Sequence, residues 1–242
     1  MLGDAFSYLR RDDGWLRTVL IGGVLLLLSP LFLPTLVVQG YLVRVLRGVV
    51  GGAGDPPVFD EWVEMLVDGV KLLVVQLVYG LVPGGLVFLG SLVAGLGAYL
   101  AGGGGRAGAG VGAGVGLLAG ILFLLAFLLG LLAAYVTPAA VANFAREGEL
   151  AAAFDLATVR EVVSSRAYLV AALYAVAAGI VVAVGTTLVA ATIVGLVLVP
   201  FVAFYGQVAV YHVLARGFAE SLGLGGADGA DASPTLGSEP GR

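Results

Sequence analysis

Few residues in this chain could support covalent or metal chemistry. It has no cysteine and one histidine, His212, which excludes disulfides, thiolate chemistry and sites with several histidine ligands. The only lysine, Lys71, follows a valine, whereas a Walker A phosphate loop needs Gly-Lys-Ser/Thr. No serine lies in a Gly-x-Ser-x-Gly motif. We therefore predict no catalytic residue, no cofactor and no metal site.

Two short patterns have a formal chemical interpretation. Residues 103–108 contain GxGxxG, but no strand precedes them and no acidic residue follows at the distance that a dinucleotide site requires. We interpret them as a flexible glycine linker. Glu61, Glu64 and Asp68 share the polar face of a predicted helix. An ordinary solvated face is the simplest interpretation of these carboxylates, and a cation or partner site is the alternative.

The composition indicates an integral membrane protein. The chain is 60% hydrophobic and 12% charged, with a mean hydropathy of +1.07, whereas soluble domains carry roughly 25% charged residues. A water-soluble globule of 242 residues could not bury so much apolar surface. The basic residues are too few and scattered for nucleic-acid binding. The net charge of −4 and the single lysine fit a halophilic archaeon.

The apolar runs predict an all-α polytopic membrane protein with about six membrane segments. A spanning helix needs about 20 apolar residues. The third segment is too long for one straight crossing, so Pro83, with Gly84 and Gly85 after it, must either kink one helix or separate two. The segments are about 15–33, 34–50, 70–100, 111–138, 167–190 and 192–215. They form a membrane domain over 1–220, and 221–242 reads as a disordered acidic tail.

The basic residues predict the topology. They form four clusters, which are Arg10/Arg11/Arg17, Arg44/Arg47/Lys71, Arg146/Arg160/Arg166 and Arg216. If all four are cytoplasmic, an even number of crossings separates neighbouring clusters. The result is a multi-pass protein of the cell membrane, with three helical hairpins and both termini in the cytoplasm. The alternative treats 16–43 as one kinked helix, which gives five crossings and an external N-terminus.

Short amphipathic stretches precede three of the segments, and we predict that each forms a helix in the membrane plane. They contain Phe6, Phe59-Asp60-Glu61-Trp62 and Phe154-Asp155. In the clearest one, apolar residues recur at i, i+3, i+4 and i+7, and Trp62 would lie at headgroup level. The predicted interfacial residues are Arg44, Arg47, Trp62 and Arg146.

Small residues recur at every fourth position in the fifth segment, from Ala171 to Gly195. Small side chains let the backbone of a neighbouring helix approach closely. The predicted helix-packing residues are Ala171, Ala175, Gly179 and Ala183.

Two stretches resemble a known family. They are Gly40–Gly48 followed by Pro56–Trp62, and Asn143–Gly148 followed by Ala153–Asp155. They resemble domain-of-unknown-function family 4013, a group of uncharacterised membrane proteins common in haloarchaea, over about residues 5–217. The resemblance implies a multi-helix membrane protein and assigns no catalytic residue.

The spans hold almost no ionisable side chains at depth, unlike ion-coupled transporters. We therefore expect a non-enzymatic membrane protein that acts by membrane organisation or scaffolding. Its expected partners are the lipid bilayer and a second copy or another membrane protein, with no nucleic acid. The alternative is a permease or lipid-handling facilitator without ion coupling, with a path near Gln76 and the Pro83 interruption.

Overall fold

Every regular element in the described ranges of the chain is a helix, which confirms the all-α fold class. The computed structural model describes residues 2–103 and 105–224. The α-helices are α1 (Leu2–Tyr8), α2 (Trp15–Leu27), α3 (Leu33–Val50), α4 (Trp62–Gly103), α5 (Gly105–Glu147), α6 (Leu156–Ser164), α7 (Arg166–Ala190) and α8 (Ile193–Ser221). Short 3-10 helices cover Leu9–Arg11, Ser29–Leu31 and Leu150–Phe154. Most of the predicted tail, 225–242, lies outside the described residues.

The helix lengths fit a protein with several membrane segments. Five helices, α3, α4, α5, α7 and α8, are long and apolar enough to cross a membrane, whereas α2 has 13 residues. The alternative of one kinked helix over 16–43 is wrong, because α2 ends at Leu27 and α3 begins at Leu33. Phe32, between them, has a φ of 65°. That left-handed backbone conformation reverses the chain and cannot continue a helix.

The third predicted segment, 70–100, and the amphipathic stretch before it form a single helix. α4 is continuous from Trp62 to Gly103, so Pro83 does not separate two helices. The prediction of a separate in-plane helix before this segment is wrong as well, because its residues from Trp62 form the first turns of α4. No glycine–proline signal stops the helix between Val70 and Leu72, and extending a helix costs less free energy than nucleating a new one. The predicted glycine linker at 103–108 is also largely helical, since α5 begins at Gly105.

The other two amphipathic stretches form separate short helices, α1 and α6. The Asp155 carboxylate caps α6, accepting hydrogen bonds from the Ala157 N–H at 3.1 Å and the Thr158 hydroxyl at 2.6 Å. The Thr158 hydroxyl and the backbone N–H groups hold the pKa of Asp155 below its ordinary value, because they stabilise the charged form.

The buried core occupies one end of the molecule, which we call the charged head. It contains α1, α6, the first turns of α4 and α7, and the last turns of α3, α5 and α8. Large fully buried side chains include Tyr41, Phe144, Tyr168, Phe204 and Phe218. Beyond the head, the helices expose large apolar side chains such as Leu81, Leu132 and Ile193. Surface of this kind is expected where the surrounding solvent is lipid.

Glycines bring the helix backbones into direct contact. A Cβ atom on Gly40 of α3 would lie 1.8 Å from the Met65 carbonyl oxygen, and one on Gly69 of α4 would lie 1.9 Å from that of Leu36. These paired contacts show that α3 and α4 are antiparallel and as close as two helices can approach. Membrane helices use such contacts because lipid tails are as apolar as the helix surfaces, which leaves van der Waals packing to hold the helices together.

The α3–α4 contact gives the first prediction. Gly40→Ala places a methyl group against a backbone carbonyl and should lower the free energy of unfolding by about 1–3 kcal/mol through overpacking. Gly80→Ala is the matched control, because a Cβ on Gly80 of α4 would meet nothing within 4 Å. It should be neutral or slightly stabilising, since alanine favours helix more than glycine. The measurement is thermal unfolding of both variants in one detergent, and equal melting temperatures would contradict the close contact.

Candidate functional site

Arg44 is the centre of an ion-pair cluster where α3 meets the start of α4. Its guanidinium donates hydrogen bonds to the carboxylates of Asp60 and Glu61, and the Glu64 carboxylate lies 3.5 Å away. The Arg44 side chain is only 11% exposed, whereas the three carboxylates face the surface. The positive charge is therefore enclosed by acidic groups that remain in contact with the aqueous phase.

Arg47, one turn later, joins three helices. Its Nη2 donates to Asp68 of α4 at 3.0 Å, and its Nε donates to the Ala145 carbonyl of α5 at 3.1 Å. The Asp68 side chain is only 10% exposed, and Lys71 Nζ lies 3.8 Å from its other carboxylate oxygen. A carboxylate so deeply buried needs its cationic partners, because an unpaired buried charge is costly.

The structure changes the interpretation of the acidic residues. Glu61, Glu64 and Asp68 were expected to form a solvated face or a cation site, but they are ion-pair partners of Arg44 and Arg47. A signal was present in the sequence. The arginines are three residues apart near the end of α3, and a short loop brings the acidic residues back past them. The pairing involves two segments at once, so the periodicity of either segment alone does not show it.

Trp62 and Arg146, also predicted at the interface, have different surroundings. Trp62 is partly exposed and stacks on Phe59, with ring centroids 5.8 Å apart, and Phe59 stacks on Tyr41 at 4.4 Å. Trp62 therefore flanks the arginine cluster. Arg146 directly follows the residue whose carbonyl Arg47 binds, but its own ion pair is with the adjacent Glu147.

The arginine cluster borders a surface cavity of about 360 Å³. Its lining residues are Arg44, Arg47, Gly48, Gly51, Ala53, Pro57, Glu61 and Glu64. Both arginines are already paired with carboxylates, so the cavity presents balanced charge to a ligand. Within the described residues, no group of three or more His, Asp or Glu side chains has the arrangement of a metal site. The geometry fits a structural junction between helices.

The N-terminal segment completes the charged head, which was not foreseen from the sequence. The Tyr8 hydroxyl donates to the Asp55 carbonyl at 3.2 Å, and Arg11 donates to the Gly54 carbonyl at 3.4 Å. Burial raises the pKa of Tyr8 to about 12. The Tyr8 ring packs on His212 of α8, with centroids 4.3 Å apart. His212 is buried, and among the described residues its ring nitrogens have no hydrogen-bond partner.

The predicted packing residues of α7 do not share one surface. Ala171 and Ala175 are buried, and a Cβ on Gly217 of α8 would lie 2.1 Å from the Ala171 Cβ. Gly179 has open space beside it, and Ala183 is exposed. The reason is geometric: with 3.6 residues per turn, each step of four rotates by about 40°, so the run winds away from α8.

The contact between α7 and α8 continues through other residues. Ala178 of α7 is fully buried. Further along, a Cβ on Gly206 of α8 would lie 2.4 Å from the Val182 side chain. Spacings of three and four residues therefore alternate on this face of α7, as the helical repeat requires.

The comparison with protein families gives one match, to the family described as protein of unknown function (DUF4013), over residues 23–191. This range covers more than half of the chain. The chain belongs to the DUF4013 family. Comparisons with curated proteins and with solved structures found no match. The arginine cluster lies inside the DUF4013 range, whereas α1 and all of α8 lie outside it.

The ion pair between Arg47 and Asp68 gives the second prediction. Arg47→Gln should lower the free energy of unfolding by about 1–3 kcal/mol, because it leaves a buried carboxylate short of a partner. Arg146→Gln is the matched control and should change stability little, because Arg146 forms a surface ion pair with the adjacent Glu147.

The double variant Arg47→Gln/Asp68→Asn separates pairing from packing. Removing both charges should restore part of the loss, which thermal unfolding of the single and double variants in one detergent would measure. Equal losses for Arg47→Gln and Arg146→Gln would contradict the role of Arg47.

Proposed function

We propose that this DUF4013 protein is a non-enzymatic protein of the cell membrane that organises the bilayer around it. The observation that carries the proposal is the length of the apolar hairpin formed by α4 and α5. After Lys71, α4 has no charged residue as far as Gly103. That stretch is about 48 Å long at a rise of about 1.5 Å per residue. The hydrocarbon core of a bilayer is only about 30 Å thick.

The surface of this hairpin is apolar and exposed outside the charged head. Leu81 and Val82 of α4 and Leu131 and Leu132 of α5 are all exposed. An apolar helix longer than the bilayer must tilt, or the surrounding lipid must become locally thicker. A rigid pair of such helices therefore favours long-chain lipids at its surface. A second copy or another membrane protein could cover the same surface, which would be the scaffolding form of the proposal.

The expected alternative was a permease path at an interruption near Pro83. α4 continues through Pro83, and Cβ atoms on Gly84 and Gly85 would meet nothing within 4 Å. The proposed path needed an interruption of the helix at Pro83, but α4 is continuous there and this part of it faces outwards. We therefore favour bilayer organisation. The halophilic origin inferred from the acidic composition belongs to the same proposal and stays a prediction.

The proposed topology places the charged head and both termini in the cytoplasm. Its support is the assembly of basic residues: Arg11, Arg44, Arg47 and Lys71 all bind within the head. Positively charged segments of membrane proteins are enriched on the cytoplasmic side.

The topology gives the third prediction. Because the chain has no cysteine, single cysteines label one site each. Cysteines that replace Ser7, Ala53, Ser164 and Ser221 should react only from the cytoplasmic side, and one that replaces Ala109 in the first turns of α5 should react only from outside. The measurement is labelling of cells and of inverted vesicles with a membrane-impermeant maleimide. External reaction at Ser7 would contradict the topology.

The hairpin length gives the fourth prediction. In vesicles that mix short- and long-chain phosphatidylcholine, the protein should enrich long-chain lipid around it. The control variant lacks 91–97 and 116–122, facing stretches of α4 and α5, and is about two turns shorter in each helix. It should lose most of the enrichment while it keeps the charged head. Energy transfer from the two tryptophans, Trp15 and Trp62, to labelled short- or long-chain lipid measures the enrichment. Equal enrichment by both proteins would overturn the proposal.

A further inference from the structure

We propose that His212 of α8 is an acid-sensitive latch for the N-terminal segment, which consists of α1 and the 3-10 helix Leu9–Arg11. While the imidazole is neutral, the segment stays docked on α8. When the imidazole gains a proton, the segment leaves α8 and frees the loop that precedes α4. The latch belongs to the charged head and does not depend on the proposed action on the bilayer.

His212 is a buried ionisable side chain without a polar partner for its ring. The residue is 4% exposed, and neither ring nitrogen has a hydrogen-bond partner in the part of the chain that the structure describes. The neutral ring already buries one unpaired N–H group, and the protonated ring would bury two together with a full positive charge. A buried charge without a partner is far more unfavourable than a buried neutral polar group. Protonation therefore favours a state in which the ring reaches water.

The charges that act on His212 oppose a further positive charge. Arg216 lies one turn later on α8, and the N-terminal segment contributes Arg11, Asp4 and its amino group. Among these groups the cations outnumber the carboxylate. A proton on the imidazole would thus add repulsion between α8 and the segment that covers it.

Other helices that pack against α8 bring charges that are already placed elsewhere. Arg17 of α2 is exposed at the surface. Arg44 and Arg47 of α3 are bound to the carboxylates of the arginine cluster. The nearby tyrosines Tyr8 and Tyr41 have hydroxyl groups that donate to backbone carbonyls of the loop before α4. These groups leave the imidazole without an anion against it.

The N-terminal segment covers the imidazole. The Tyr8 ring packs on the His212 ring with centroids 4.3 Å apart. Ala5 and Leu9, on either side of Tyr8 in the chain, are both 2% exposed. The Tyr205 hydroxyl of α8 donates to the Phe6 carbonyl, which fixes the segment along the same helix. Water can therefore reach the imidazole when this segment moves away.

The segment can leave this contact at a lower cost than α8 can. α1 has seven residues, and a helix that short is not stable by itself. α8 has 29 residues and is interlocked with α7, because Cβ atoms on Gly206 and Gly217 would lie 2.4 and 2.1 Å from Val182 and Ala171. Opening a small segment costs less free energy than unfolding a core helix. Protonation should therefore release the segment and leave α8 in place.

Release of the segment also frees the loop between α3 and α4. The Tyr8 hydroxyl donates to the Asp55 carbonyl, and Arg11 donates to the Gly54 carbonyl. Both hydrogen bonds break when the segment leaves. Loop residues Gly51, Ala53 and Pro57 line the cavity beside the arginine cluster. The latch thus links the protonation of α8 to the freedom of the loop at that cavity.

The pH dependence has a definite sign. The ordinary pKa of histidine is about 6.5, so a released, hydrated His212 takes up a proton below that pH. By linkage, the ratio of released to docked segment should rise about tenfold as the pH falls from about 7.5 to about 5.5. Carboxylates of ordinary pKa, about 4, stay ionised over this range. The amino terminus, with an ordinary pKa of about 7.7, titrates at its upper end and is separated from His212 by a variant without the imidazole.

The test uses the full-length protein in detergent, with single cysteines in the cysteine-free chain. Ala5→Cys reports release, because Ala5 is buried while the segment is docked. Ser7→Cys, exposed on the same helix, corrects for the effect of pH on thiol reactivity. We expect the rate of maleimide labelling at Ala5→Cys, relative to Ser7→Cys, to rise about tenfold between about pH 7.5 and about pH 5.5. In a His212→Phe background, which keeps a ring that takes no proton, the ratio should stay constant.

A third cysteine separates local release from unfolding of the head. Ala153→Cys, in the 3-10 helix between α5 and α6, is fully buried and should stay unreactive at both pH values. A labelling ratio that does not change with pH, an equal rise in the His212→Phe background, or a matching rise at Ala153→Cys would overturn the inference. If His212→Phe does not fold, His212→Gln takes its place, because its smaller amide side chain does not titrate either.

Discussion

The closest contact between α3 and α4 is the constraint on which the rest of the structure depends. Gly40 and Gly69 let the two backbones touch, and at that separation Arg44 reaches Glu61, just before α4, and Arg47 reaches Asp68 of α4. In a membrane the hydrophobic effect does not hold helices together, so packing and polar bonds must supply the stability. This junction supplies both. It also reaches α5 through the Ala145 carbonyl, which connects three helices through one side chain.

The same junction divides the protein into two regions with different solvents. On one side, Tyr8 and Tyr41 bind the loop before α4, next to the arginines. There the Tyr41 hydroxyl donates to the Pro57 carbonyl at 3.0 Å, and Tyr8 to that of Asp55. On the other side, the helices expose leucine, valine and phenylalanine to lipid. Because the ion pairs cannot enter hydrocarbon without a large cost, they fix how deeply each attached helix is inserted.

The sequence was sufficient to predict the class of protein, because composition and apolar runs alone decide that question. It was also sufficient to place the turns near Pro30 and Thr192. It was not sufficient for features that depend on a partner. Glu61 and Asp68 look solvated until Arg44 and Arg47 are brought beside them. Gly179 looks like a packing residue until the helical repeat turns it away from α8. Local periodicity shows which residues share a face of a helix. Whether that face is solvated, paired or packed depends on the helix or loop that lies against it.

Under the proposed function, the apolar length of α4 is the feature to which the surrounding lipid adapts. The apolar part of α4 exceeds a 30 Å core by roughly 15–20 Å. Tilt alone would need an angle of about 50°, beyond the 0–40° that membrane helices adopt. Each ångström of hydrophobic mismatch costs a fraction of a kcal/mol. The part of the excess length that tilt does not relieve would therefore cost a sizeable share of the about 5–15 kcal/mol that stabilises a typical fold. The helical turns near Gly102 and Gly110 are rich in glycine and are the least apolar. Moving them out of the hydrocarbon therefore costs the least free energy. Under the proposed function, the rest of the excess is relieved where lipid is thicker, which would favour the thicker regions of a membrane for this protein.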